Sequence, residues 1–87
     1  MNYNDLREIV NKHDPVFFIK VGAPEDEYDL ETGRIFVALQ NKNMDEDELT
    51  EVIKKIFIEA IDEGVVNEYN IEIYKNLAHE ILTEWNR

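Results

Sequence analysis

The 87-residue sequence contains no cysteine and no serine. The first absence excludes disulfides, thiolate nucleophiles and zinc–thiolate centres. The second removes the commonest hydroxyl nucleophile, leaving Thr32, Thr50 and Thr83, each within a predicted helix and with no histidine or lysine next to it to act as base. Glycine is scarce too, at positions 22, 33 and 64, so no glycine-rich loop exists to cradle a phosphate. Bases are few: nine Lys and Arg face 20 Asp and Glu, a formal net charge of −11. Such a charge argues against a nucleic-acid backbone and against anionic membrane surfaces as partners. Long apolar runs are missing as well. Val16–Ile19 falls far short of the roughly 20 residues of a membrane span, and Met1–Leu6 has neither the basic start nor the apolar stretch of a signal peptide. The expected address is the cytoplasm.

What is present is the composition of one folded domain, residues 1–87. Hydrophobic residues make up 44% of the chain and nine residues are aromatic, above the range of disordered segments. Leu6, Ile9 and Val10 recur at helical spacing, with His13 extending the row and Asn2 or Asn4 available as N-cap. Asp14-Pro15 ends this helix. Val16–Val21 has strand propensity but no clean alternation, and reads as an extended connector whose phenylalanines cover one end of the core. Pro24 suits the first position of a second helix, with Glu25, Asp26 and Glu27 in the first turn, where the dipole favours carboxylates. Tyr28, Glu31 or Thr32, Ile35 and Leu39 then form its buried stripe. Gly33 interrupts it, and Arg34–Leu39 paired as a strand with residues 16–21 is the alternative.

The third helix has the clearest signature. Asp45 and Glu48 make an Asp-x-x-Glu capping box, flanked by Met44 and Leu49 as a hydrophobic staple. Leu49, Val52, Ile53, Ile56, Phe57, Ala60 and Ile61 follow at three- and four-residue spacing, and Gly64 is the expected stop. Asn67 or Asn70 caps a fourth helix with Tyr74, Leu77, Ala78, Ile81, Leu82 and Trp85 along one side. These readings define an all-α fold: a compact antiparallel bundle of four helices near residues 3–13, 24–40, 45–63 and 68–86, joined by an extended connector at residues 14–23.

Glu25, Asp26, Glu27, Asp29 and Glu31 place five carboxylates within seven residues around Tyr28. Their spacing is not that of a calcium loop, and without a phosphate ligand magnesium would be held weakly. His13 and His79, the two histidines, lack a third ligand in any recognisable spacing. No catalytic residue, metal site or cofactor is assigned. The block reads instead as a charged helix start or as a surface for a basic protein partner. Tyr28 is either its core anchor or an exposed contact, since tyrosine is enriched at interface hot spots.

Asp14-Pro15, the run Gly22-Ala23-Pro24-Glu25-Asp26-Glu27-Tyr28-Asp29-Leu30-Glu31 and the two amphipathic helices after it are familiar together. On these residues the chain resembles the small bacterial proteins of domain-of-unknown-function family 1871 and their acidic relatives. Where those relatives often carry tryptophan before the Asp-Pro, this sequence has His13. The resemblance implies an all-helical fold, implies no enzyme activity and supplies no catalytic residues. The functional expectation is a non-enzymatic binding or regulatory protein, immunity- or inhibitor-like, masking a basic partner. The alternative is a structural subunit that self-associates through Phe17, Phe18 and Trp85.

Overall fold

The computed structural model describes all residues, 1–87. Four α-helices follow in order: α1 (Tyr3–His13), α2 (Asp29–Asn41), α3 (Glu46–Ala60) and α4 (Ile71–Trp85), with a single 3₁₀ turn at Glu63–Val65. Each helix packs on its chain neighbour, and α1 closes the ring against α4. Pairings across α1 and α2 show the antiparallel register. Tyr3 meets Phe36 edge to face, Arg7 Nε pairs with Asp29 at 3.0 Å, and Asn11 Nδ2 donates to the Glu25 carbonyl at 2.8 Å. As the number rises along α1, the partner's number falls.

Local chemistry sets the helix starts. Asn2 caps α1 in a capping box with Asp5, and Asp45 caps α3 in one with Glu48. Each box satisfies two amides that the first turn would otherwise leave bare. The apolar rows meet in the centre. Leu6, Val10, Ile35, Leu49, Ile53, Leu77 and Ile81 are fully buried there. Three aromatics run through it in series: Tyr28 against Phe57, at 5.7 Å between centroids, and Phe57 against Tyr74, at 5.5 Å.

Three expectations differ from what is found. Helix α2 begins at Asp29, not near Pro24. Pro24 instead opens a turn in which Glu27 N donates to the Pro24 carbonyl, and a second turn closes from Asp29 N to the Asp26 carbonyl. Proline's fixed φ and missing amide suit turns as well as helix starts, so the residue alone did not decide between them. The connector at residues 14–23 is a chain of turns rather than an extended segment. Gly64 does not take the left-handed cap: α3 ends at Ala60, and Gly64 lies in the 3₁₀ turn with its N–H donated to Asp62 Oδ1 at 2.7 Å. That turn carries Val65 under the core, where its carbonyl accepts from both the Tyr74 hydroxyl and Asn70 Nδ2, each at 2.7 Å. Gly22, with φ of 103°, is the one glycine whose backbone demands the residue.

Candidate functional site

Both long connections, residues 14–28 and 61–70, lie at the same end of the bundle. Asn70 ties them together. It is 3% exposed, and its side-chain amide donates to the Pro15 carbonyl at 3.1 Å as well as to Val65.

The first connection is built around Asp14 and Tyr28. Asp14 ends α1 in a left-handed conformation, φ 47° and ψ 60°, with its N–H still bonded to the Val10 carbonyl. Its carboxylate turns back over the chain and accepts from Ile19 N at 3.0 Å and from Lys20 N at 2.9 Å. The Tyr28 hydroxyl donates to the same carboxylate at 2.5 Å and accepts from Val16 N and Phe18 N at 3.2 and 3.3 Å. One phenol and one carboxylate thus satisfy four backbone amides. Burial, reinforced by the hydrogen bond to Asp14, pushes the Tyr28 hydroxyl far above the ordinary tyrosine range. It remains protonated and keeps its donor role.

This arrangement has a consequence for the residue between the two bonded amides. Phe17 adopts φ of 61°, a left-handed backbone that bulky side chains rarely enter. Phe18 turns inward and stacks on Tyr28 at 5.9 Å, while Phe17 points out and is 43% exposed. Val21 and Tyr69, at the same end, are 80% and 84% exposed. Only five large hydrophobic residues are exposed anywhere, so this end carries most of them.

The acidic block divides in two. Glu25, Asp26 and Glu27 are exposed in the turns before α2. Tyr28 is fully buried and is therefore an anchor, not a surface contact. Asp29 is half-buried and paired with Arg7, a cation the sequence did not place beside it. Glu31 is 4% exposed, and its Oε1 has no hydrogen-bond partner. Burial drives the Glu31 carboxyl above its ordinary range, opposed by Arg34 and aided by Glu27 and Asp29. Tyr28 and Glu31 thus leave the candidate surface. Asp62, Glu63 and Glu68 join it from the second connection, all exposed. Among Lys and Arg, these two connections contain Lys20 alone, and it makes no ion pair.

Sequence reasoning missed Tyr69 as an outward group of this end, and named Phe17 only as a self-association contact together with Phe18 and Trp85. Tyr69 falls off the apolar row of α4, which was a usable signal. The sequence could not tell outward Phe17 from inward Phe18, because their directions follow from a backbone fixed by Asp14 and Tyr28 from outside the segment.

The histidines sit in separate ion pairs. His13 Nε2 meets Glu80 Oε1 at 2.9 Å, beside Lys12 Nζ on Glu80 Oε2 at 2.6 Å. His79 pairs with Glu46 on an exposed face. No three Asp, Glu or His side chains converge on a point that would hold a metal ion. The largest groove, about 650 Å³ along the outer side of α1, is lined by polar and charged residues apart from Ile19. Two of its side chains are already engaged, Arg7 with Asp29 and Asn11 with the Glu25 carbonyl. No helix is long and apolar enough to cross a membrane.

No family model, curated protein or solved structure matches the chain.

Proposed function

We propose that this chain is a small acidic binding protein of the inhibitor or immunity kind, and that its connection end masks a basic surface on a partner protein. The observation that carries this reading is Phe17. It is held outward in a left-handed backbone, in the first of two connections rich in exposed carboxylates that contain Lys20 as their only Lys or Arg. Backbone strain of this kind costs on the order of 1–3 kcal/mol and persists only where the surroundings enforce it. Here the Asp14–Tyr28 bond enforces it.

The division of labour follows from the chemistry. Glu25, Asp26, Glu27, Asp62, Glu63 and Glu68 set up a negative field that draws in a basic surface and speeds encounter. Charge at an exposed rim adds little to residence time. A desolvated aromatic adds more, and Phe17 is the anchor this end offers. The kinship with domain-of-unknown-function family 1871 belongs to the same proposal, since residues 14–31, which carry that resemblance, form this end.

The test is a capture experiment from native cell extract, run in parallel with the parent, Phe17→Ala and the triple variant Glu25→Gln/Asp26→Asn/Glu27→Gln. A basic protein held by the parent should associate more slowly with the triple variant and dissociate faster from Phe17→Ala. Association with the parent should weaken as salt rises. Equal association and dissociation rates for all three chains would reject this surface.

Self-association through Phe17, Phe18 and Trp85 does not suit the arrangement found. Phe18 is stacked on Tyr28, and Trp85 stands edge-on against Phe36 at 6.0 Å. A different face carries the observations for a dimer.

A further inference from the structure

The outward faces of α1, α3 and α4 are polar along their length. They present Asn4, Glu8 and Lys12, then Asp47, Glu51 and Lys55, then Glu72, Lys75 and His79. Helix α2 differs. Its outward side carries Leu30 at 56% exposure and Val37 at 54%, with half-buried Gly33 between them and exposed Arg34 and Gln40 at the sides. Within α2 the one carboxylate that reaches solvent is Asp29, at the margin of this face and paired with Arg7, since Glu31 is buried.

Gly33 is not explained by the monomer. It lies inside a regular helix without a positive φ, and no atom stands within 4 Å of the position its Cβ would take. Alanine would fit and would favour the helix. A glycine that costs helix stability and serves no internal contact is accounted for by the close approach of another backbone from outside.

We infer that this face of α2 is where two copies of the chain dock, their α2 helices antiparallel and crossing at Gly33. The pattern is self-complementary. Leu30 lies as far before the midpoint between Gly33 and Arg34 as Val37 lies after it. A two-fold axis through that midpoint therefore sets Leu30 of each copy on Val37 of the other, with Arg34 of each over Gly33 of the other. The same operation brings the acidic turn Glu25–Glu27 of one copy towards Gln40–Lys42 of the other, and the antiparallel helix dipoles are complementary. Charge selects this face as well. For two molecules of net charge −11, the outward face of α2 opposes the fewest carboxylates, Asp29 alone, and Arg7 neutralises it. The strip is narrow against the roughly 800 Å² per partner of a standard interface, so the dimer is weak.

Sedimentation of the full chain from micromolar to about 1 mM tests this. The expected result is a monomer–dimer equilibrium that strengthens with salt, as repulsion between like-charged copies is screened. That salt response is opposite to the one expected for a basic partner, so the two proposals fail separately. Leu30→Glu and Val37→Glu, both at exposed positions, should each raise the dissociation constant at least about tenfold, because each change enters a two-fold interface twice. Gly33→Ala should weaken the dimer while raising the melting temperature of the monomer. A chain that stays monomeric throughout overturns the inference. So does a dimer indifferent to Leu30→Glu and Val37→Glu. A Gly33→Ala chain that dimerises as well as the parent overturns the close crossing.

Discussion

The Tyr28 hydroxyl donates to Asp14 Oδ1 across 2.5 Å, and through this bond the core of the bundle holds a surface turn in shape. Tyr28 is fully buried between Phe18 and Phe57, so its ring cannot follow the turn outward. The turn is therefore positioned by the core, not the reverse. Tyr28→Phe keeps the ring contacts and removes the hydroxyl, leaving Val16 N and Phe18 N without their acceptor. We expect a loss of about 1–3 kcal/mol in urea denaturation. Amide exchange at residues 16–20 should accelerate more than in α3 or α4. Uniform acceleration over the whole chain would mean that the hydroxyl supports global stability without localising to the turn.

Positions along α3 offer a sharper test of helix phase. Ile53 and Phe57 are fully exposed to the core and closed to solvent, while Ile56 lies on the half-buried flank. Phe57 touches both Tyr28 and Tyr74. Phe57→Ala should cost about 3–5 kcal/mol and Ile53→Ala about 2–5 kcal/mol. Ile56→Ala should cost less than either. Lys55→Ala should stay within about 0.5 kcal/mol of the parent. An Ile56 variant worse than the Ile53 variant would contradict the packing described here.

The contrast between α3 and the 14–28 segment explains what could be read from the sequence. Asp45, Glu48 and the row Leu49–Ile53–Phe57 lie within thirteen residues of one another and act on one helix. Capping and periodicity are local, and they were legible. Pro24 and the acids after it carried the same helix-start signals, yet the helix opens at Asp29. The deciding interactions there come from a distance: Asn11 takes the Glu25 carbonyl, and Asp14 takes the Tyr28 hydroxyl. Gly64 failed as a stop for a related reason, since Tyr74 and Asn70 claim the Val65 carbonyl and draw the chain in. The acidic block was visible as composition. Its buried members, Tyr28 and Glu31, were legible too, because they fall on the apolar row of Thr32, Ile35 and Leu39; what those contacts moved was the helix start, which leaves Glu25, Asp26 and Glu27 in turns.

Glu31 and Glu80 answer acid in opposite senses. Burial raises the Glu31 carboxyl above its unfolded value, so the native state holds the proton more tightly. Its contribution falls as pH rises from the unfolded pKa through the folded one, and at neutral pH the buried ionised group is a cost. Glu80 is held low, chiefly by Lys12 and also by His13. Its contribution is present above the unfolded pKa and disappears as pH falls through the folded one. Glu31→Gln should therefore be more stable than the parent at neutral pH, and the gap should close on acidification. Glu80→Gln should be less stable at neutral pH, by about 0.2–1 kcal/mol for a partly exposed pair, and that gap should also close in acid. Urea midpoints measure both, from pH 7 to about pH 4 for Glu31 and on down to about pH 2 to 3 for Glu80, whose window lies below the ordinary glutamate range. A Glu31→Gln chain weaker than the parent at pH 7 would show that the carboxylate is stabilised where it lies.

Phe17 sets stability against the proposed interaction. A left-handed conformation costs an ordinary L-residue about 1–2 kcal/mol. Asparagine tolerates it better, because its short polar side chain bonds locally. Replacing Phe17 by Asn gives up contacts of a ring that is already 43% exposed. We expect the strain relieved to exceed the burial lost, so that Phe17→Asn stabilises the fold. Phe17→Val should do the reverse, because a β-branched side chain is the least suited to positive φ. If the aromatic is the anchor of the acidic end, the stabilised Asn variant will dissociate faster from the basic protein that the parent captures. A more stable chain that binds less well separates the two roles of the residue in one substitution. A Phe17→Asn chain that loses stability would mean that the ring supports the turn, and that its outward direction is a by-product of packing.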